Sequence, residues 1–212
     1  MMENPVLILG AQTVGRIALE IFESNGVVAY GFLDDNKKLH QSTVDDLAVM
    51  GDTDDEQYLK LLGKNCEAFV ATDDVRVRKS LVKKLNEQWK VQPVNAIHPK
   101  AAISKRAVLG HGNLFDAGVA VEPGATVGSH CNFFGNAYIG AEAEIGNFVQ
   151  IGGGCNINAG VKIGEGAFIG SGATLVAGVE IGANARVGAG SVVIRSLKAG
   201  ETVFGNPATE KI

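Results

Sequence analysis

Cysteine, tryptophan and long apolar runs are all scarce in this chain of 212 residues. Its three cysteines, Cys66, Cys131 and Cys155, are an odd number without metal-ligand spacing. That excludes a disulfide framework and a zinc site, and reads as buried thiols in a reducing compartment, the cytoplasm. No stretch approaches the ~18–20 consecutive apolar residues of a membrane span, which excludes an integral helical membrane protein. The opening MMENPVLILG has no basic region ahead of its apolar residues, so no signal peptide is expected. Basic clusters are missing too. The net charge is −4 and no Lys/Arg cluster exceeds two or three residues, so nucleic acid is not an expected partner. With 46% hydrophobic and 20% charged residues, the chain can form one large core or two small ones.

The composition is uneven. Of 28 glycines, 22 follow residue 93, whereas residues 1–93 carry 26 charged groups and residues 94–212 only 16. Two architectures therefore meet near Gln92-Pro93, across a junction too short for a floppy linker. The expected domains are 1–93 and 94–212.

The second of these is periodic. Every sixth residue from Ile97 to Val193 is bulky and apolar, 17 positions without an insertion. At the chain's apolar background, chance gives this less than about once in a hundred thousand. A companion series of mostly small or β-branched residues, such as Ala125, Cys131, Ala137 and Ala143, sits two places before the bulky ones. Glycine follows the bulky residue at 110, 128, 146, 164 and 182, every eighteenth residue. Six nested in eighteen means three short strands per coil of a parallel β-helix. The bulky residues fill the prism, small ones fit the corners, and the glycines are expected to supply the corners' backbone angles. About five and a half coils span 94–194. The first domain is expected to cap one end, and the tail from Ser196 to fold over the other.

Residues 1–93 alternate strand and helix. VLILG (6–10), VVAYGFL (27–33) and EAFVA (67–71) read as strands. Thr13 to Ser24, 54–63 and Val75 to Gln88 read as helices, the first stopped at Asn25-Gly26. This pattern implies a small parallel sheet of Rossmann type. Its first turn, LGAQTVGR, sets Gly10 and Gly15 around Gln12 and Thr13, a loop able to present N–H groups to a phosphate at a helix N-terminus. Asp34 and Asp35 end the second strand, where a carboxylate can bind a ribose hydroxyl or a base edge; a solvated turn is the plainer alternative. Thr72 and Asp73 open the third strand-to-helix junction, where they can also serve as an N-cap. In the repeat, His111 and His130 sit on turns and are expected at the surface; together they cannot supply the three imidazoles of a zinc hydratase. Gly152-Gly153-Gly154 is a denser glycine run than a corner needs and leaves room for an extended ligand.

Together the two halves resemble the NeuD/PglD-type bacterial sugar acetyltransferases. The resemblance covers nearly the whole chain and is carried by LILGAQTVGR, GFLDDN, ATDDVRVRK, NAIHPKAAIS, the hexapeptide coils, GEGAFIGSGATL and VGAGSVV…VFGNPA. It implies an α/β Rossmann-like domain followed by a left-handed parallel β-helix; the hand comes from the resemblance, since right-handed crossovers are the rule elsewhere. It further implies a homotrimer, with acetyl-CoA in the groove between neighbours and no metal. A nucleotide-linked amino sugar, expected to carry UDP, is held by the first domain through Gly10, Gln12, Thr13, Gly15, Asp34, Asp35 and Thr72. Acetyl-CoA would lie along Gln150, Gly152, Gly153, Ser171 and Ala189, the last three with glycine at 153 stacked 18 residues apart.

The family's catalytic stretch reads apolar-x-His-Asp/Glu-Cys-x-Ile-Gly. In hexapeptide register it falls on IGAEAEIG (139–146), which keeps the acid as Glu142 but has Ala141 in place of the histidine. A second family histidine falls at Gln150. Three explanations stay open: a substitution that removed the base, a natural enzyme with another base such as Glu142 or a neighbouring subunit's group, or a non-catalytic relative that binds nucleotide sugars or assembles with an active enzyme.

Overall fold

The first unit is built on a buried strand. In the computed structural model, which describes residues 4–210, VLIL at Val6–Leu9 forms β1, buried at every position. There follow α1 (Thr13–Ser24), β2 (Ala29–Leu33), β3 (Thr43–Val44), β4 (Leu47–Gly51), α2 (Glu56–Leu59), β5 (Glu67–Val70), α3 (Val75–Lys84) and β6 (Ala96–Ile97). The sheet order is β3-β4-β2-β1-β5. All pairs are parallel except β3–β4, a short antiparallel hairpin. Helix α1 buries Val14, Ala18, Leu19, Ile21 and Phe22, the i, i+4 face of its sequence. Phe22 meets Phe69 of β5 edge to face, with ring centres 5.7 Å apart.

Several expectations need correction. The β3–β4 hairpin was not foreseen, because TVDDLAVMG lacks the short turn signature and turns through Asp45 and Asp46, both at positive φ. The helix expected over 54–63 shrinks to the single turn α2, capped by the Asp55 carboxylate on the Gln57 N–H at 2.9 Å. Three-residue turns and Gly63 at φ +72° end it. The helix expected to Gln88 is regular only to Lys84; residues 85–89 form a wider π-type turn, closed by Lys90 at φ 57°. The strand expected from Val27 begins at Ala29. The cap of α3 is Asp74, whose carboxylate accepts the N–H groups of Arg76 and Val77, and not Thr72 or Asp73. The chain divides into Met1–Pro99 and Lys100–Ile212, so residues 94–99, including β6, group with the first unit.

The second unit is a parallel β-helix of hexapeptide repeats, whose pattern fits the left-handed form. Two-residue strands stack in an 18-residue register, as in Ala120 beside Tyr138 beside Asn156. Face one holds 102–103, 120–121, 138–139, 156–157, 174–175 and 192–193; face two runs from 108–109 to 180–181, and face three from 114–115 to 186–187. The second residue of each pair points inward and is buried from Phe115 onward, while Ile103 and Leu109, in the first coil of the second unit, are half-buried. Phe115 and Phe133 stack inside with ring centres 4.7 Å apart. Each fully buried aliphatic side chain contributes about 1.5–3 kcal/mol, so a strict six-residue apolar period is enough to select this fold.

The glycines at 110, 128, 146, 164 and 182 do not supply unusual backbone angles; the positive φ values fall at Gly118, Gly124, Gly154, Gly160 and others. They are glycine because the next coil's backbone passes directly above. A Cβ on Gly146 would lie 2.8 Å from the Glu165 nitrogen. The tail extends the solenoid: Thr202–Phe204 continues face three in parallel with 186–187, and Thr209–Glu210 returns antiparallel to it. Among the described residues, no helix is long and apolar enough to cross a membrane.

Candidate functional site

Each unit carries one candidate site. In the first, the C-terminal ends of β1, β2 and β5 open onto a cleft of about 390 Å³ lined by Gly10, Gln12, Thr13, Asp34, Asp35 and Thr72, among others. Six of the seven sequence-selected residues therefore converge, while Gly15 is buried in α1 behind the loop. Gly10, at φ +114°, starts the turn into α1, and a Cβ there would collide with the Ala71 carbonyl oxygen. A Cβ on Gly15 would collide with the Gly10 carbonyl oxygen, so the helix packs onto the loop only without side chains. Gln12 and Thr13 are exposed at the α1 N-terminus, whose Gln12 N-cap makes no side-chain hydrogen bond. The first-turn N–H groups are thus not capped from within, the arrangement that receives anions.

The two aspartates play different parts. Asp34 is buried, and its carboxylate accepts the N–H of Ala11 and of Asn36, both at 2.8 Å. It braces the loop from the inside. Asp35 accepts the N–H and hydroxyl of Thr53 through Oδ1, at 2.9 and 2.7 Å. Its Oδ2 has no hydrogen-bond partner among the described residues. Thr72 Oγ1 accepts the Asp74 N–H at 3.2 Å, which shapes the third loop. The Asp74 carboxyl is held below the usual carboxylate range by the N–H of Val77, then that of Arg76.

The second site lies on the β-helix. Gly152, Gly153, Ser171 and Ala189 all lie on the corner from face three to face one, in register over three coils. Backbone bonds join alternate positions there: Gly172 N–H to Gly153 oxygen and Gly190 N–H to Ser171 oxygen, both 2.9 Å. Among the described residues, nothing accepts from the N–H groups of Gly153, Ser171 or Ala189. One coil earlier the equivalent N–H, on Gly135, is taken by Asp116 Oδ2 at 3.0 Å. The N–H groups of Ala141, Ala159 and Ala177, at the same position of the next corner, also lack acceptors among the described residues; what sets the first column of donors apart is its floor almost without side chains, with the run Gly152-Gly153-Gly154. Gln150, the other residue assigned to this groove, is different. It lies on face three beside Asn132, is buried, and its Oε1 has no hydrogen-bond partner among the described residues.

Ala141 and Glu142 stand on another corner, from face one to face two. The fold of one chain therefore does not bring them to the donor column. Glu142 is exposed at φ 60°. Of the turn histidines, His111 is exposed as expected. His130 is not: it is buried and stacked on Phe148, with ring centres 5.0 Å apart. All three cysteines are buried, and among the described residues none forms a disulfide. Burial pushes the Cys66 thiol up to about 11 and raises that of Cys155.

These features agree with comparisons to known proteins. Residues 5–85 match the PglD N-terminal domain, and residues 142–177 and 160–195 match the bacterial transferase hexapeptide. A variant of perosamine N-acetyltransferase from Caulobacter crescentus, solved with CoA and GDP-perosamine, is 31% identical over 98% of this chain and 96% of its own, with a TM-score of 0.91. The chain belongs to the NeuD/PglD-type sugar acetyltransferases. The acetyltransferase domain of PglB from Neisseria gonorrhoeae, solved with acetyl coenzyme A, is 26% identical over 99% of this chain and 100% of its own, with a TM-score of 0.91. WeeI from Acinetobacter baumannii shares the fold at 23% identity, covering 98% of this chain and 99% of its own, with a TM-score of 0.87. No curated protein matches the sequence. The nucleotide on the Caulobacter relative is GDP, not the UDP that the resemblance leads one to expect.

Proposed function

We propose that this chain transfers acetyl from acetyl-CoA to the amine of a nucleotide-linked amino sugar. The observation that carries the reading is the combination of the N–H donors at Gly153, Ser171 and Ala189 with the side-chain-free run Gly152-Gly153-Gly154 beneath them. A pantetheine arm presents amide carbonyls at intervals along an extended chain, and such a column suits it. The glycine floor lets it lie against backbone. That the Caulobacter relative holds CoA together with GDP-perosamine, and the Neisseria relative acetyl coenzyme A, supports the same assignment.

The first unit would hold the nucleotide. Its parallel core, β4-β2-β1-β5 with crossover helices, supports the Rossmann-like label. The diphosphate suits the uncapped start of α1, and the base suits the wall of Asp35, Asp73 and Asp74. Carboxylate oxygens accept from N–H donors, and guanine offers such donors on one edge. A GDP-linked sugar is therefore the preferred substrate. Buried cysteines without disulfides among the described residues suit a cytoplasmic setting.

The reaction forms a C–N bond from the sugar amine to the thioester carbonyl and breaks the C–S bond to release CoA thiol. Peptide N–H groups near the reacting carbonyl would stabilise its developing negative charge. Because Ala141 and Glu142 lie on a different corner from the donor column, a complete site needs the column of one copy against the corner of the next. Corner-to-corner contacts of a three-faced prism close on three copies, which supports a homotrimer. Face one suits the contact, since its outward residues Ala102, Ala120, Tyr138, Asn156, Thr174 and Val192 are uncharged. Face two carries Glu144 and Lys162, paired at 3.2 Å, and Glu180.

The test is CoA-thiol release over a panel of GDP- and UDP-linked amino sugars and free sialic acid. Turnover of a GDP-linked amino sugar is expected. Saturable sugar-nucleotide binding without turnover of any acceptor would instead mark a binding protein.

A further inference from the structure

Resting on that reading, we infer that Glu142 itself is the general base, in place of the imidazole that Ala141 does not supply. A carboxylate beside a histidine serves to orient it. Here there is no imidazole for it to orient.

Glu142 occupies the left-handed backbone region at φ 60°. The same corner position on neighbouring coils is glycine: Gly124, Gly160 and Gly178, all at positive φ. Glycine is the residue this geometry favours, although His130, Asn136, Phe148 and Asn184 occupy the same region at the other corners. Its side chain runs down the corner toward the N-terminal coils: a Cβ on Gly124 would lie 3.3 Å from Glu142 Cγ. The glycine below leaves it that room. The backbone is pinned by its N–H to the Pro123 oxygen at 3.2 Å. The side chain is exposed, and among the described residues nothing donates to its carboxylate or pairs with it. Ala141, and the corner residues Asn158, Ala159, Gly160, Val176, Ala177 and Gly178 of the next two coils, offer no ionisable group; the two coils before carry Glu122, Lys105 and Arg106 on the same corner.

The proton balance works with a carboxylate. As the neutral amine attacks the thioester carbon, the nitrogen of the adduct becomes positive and strongly acidic. Glu142 takes one proton from it, the C–S electron pair leaves with sulfur, and the thiolate is protonated by solvent. The products are the amide, CoA thiol and a protonated Glu142 that releases its proton to water. No further reactant is needed.

The experiment is steady-state kinetics on the full chain, with CoA and GDP affinities measured by calorimetry. Glu142→Gln is expected to lower kcat by about a hundredfold or more, with both affinities within about twofold of wild type. Glu122→Gln, on the first position of the same corner one coil earlier, is expected to leave kcat unchanged. Adding Ala141→His to Glu142→Gln is expected to restore rate and introduce an acid limb near pH ~6.5 that the wild type lacks. Retention of kcat within about threefold in Glu142→Gln, or a loss confined to Glu122→Gln, overturns the assignment. A wild type that binds CoA and GDP but never turns over overturns it while leaving the ligand reading intact. A chain that binds neither ligand overturns both.

Discussion

The Asp34 carboxylate holds the Ala11 N–H at 2.8 Å, tying the end of β2 to the loop that leaves β1. Gly10 N–H reaches back to the Leu33 oxygen at 2.7 Å, closing the same junction from the backbone side. The loop's shape is thus set from within the fold before any phosphate arrives. A buried carboxylate with two backbone donors is expensive to lose, because both N–H groups are then left unsatisfied.

Asp34→Ala is expected to cost about 1–3 kcal/mol of stability and to weaken GDP binding more than tenfold by loosening the loop. Asp35→Ala is expected to spare stability more and to reduce discrimination between GDP and UDP. Thermal unfolding and calorimetry on the two variants separate bracing from base recognition.

Gly15→Ala places a methyl group against the Gly10 carbonyl oxygen. Helix α1 must then shift away from the loop, at a cost of about 1–3 kcal/mol. Loss of nucleotide-induced stabilisation in a melting experiment, with CoA-induced stabilisation kept, is the expected pattern.

Ser171 is assigned to the cofactor column through its backbone. Ser171→Ala is expected to leave the CoA Kd within about twofold. Ser171→Glu, at an exposed position that tolerates it, is expected to raise Kd more than tenfold by setting a carboxylate beside CoA phosphates. A large effect of the alanine variant would assign the hydroxyl a role of its own.

Asp74 caps α3, and its carboxyl lies below the usual range in the folded protein. A depressed carboxyl contributes stability above its unfolded pKa and loses it as pH falls through the folded value. Asp74→Ala is expected to cost about 0.5–2 kcal/mol at pH 7. Asp74→Asn keeps an acceptor at the cap and is expected to stay close to wild type at pH 7, with a shallower fall in Tm between pH 5 and 3.

The buried thiols Cys66, Cys131 and Cys155 are expected to resist a thiol reagent under native conditions at pH 7.5, since only a thiolate reacts quickly and burial raises the pKa of Cys66 to about 11. Mass spectrometry before and after denaturation checks this, and the same result makes thiol release a clean assay for this chain.

The solenoid was fully legible in the chain. A side chain in a two-residue strand has only inside or outside to choose from, and a period of six names the choice at Ile139, Ile145 and Ile151 without reference to anything distant. The turn after β1 and the place of Asp34-Asp35 at the end of β2 were legible for a similar reason: where a strand stops and its turn begins is written in local residue types. Other features came only from tertiary structure. The glycines at 110, 128, 146, 164 and 182 answer to a backbone eighteen residues on, not to their own dihedral angles. The β3–β4 hairpin forms because β4 finds an open edge at β2, which TVDDLAVMG does not announce. Asp34 and Asp35 are neighbours of one residue type, yet one braces a loop and the other keeps an oxygen free. Sequence fixes what each group can do; only the packing around it decides which hydrogen-bond capacity is already spent.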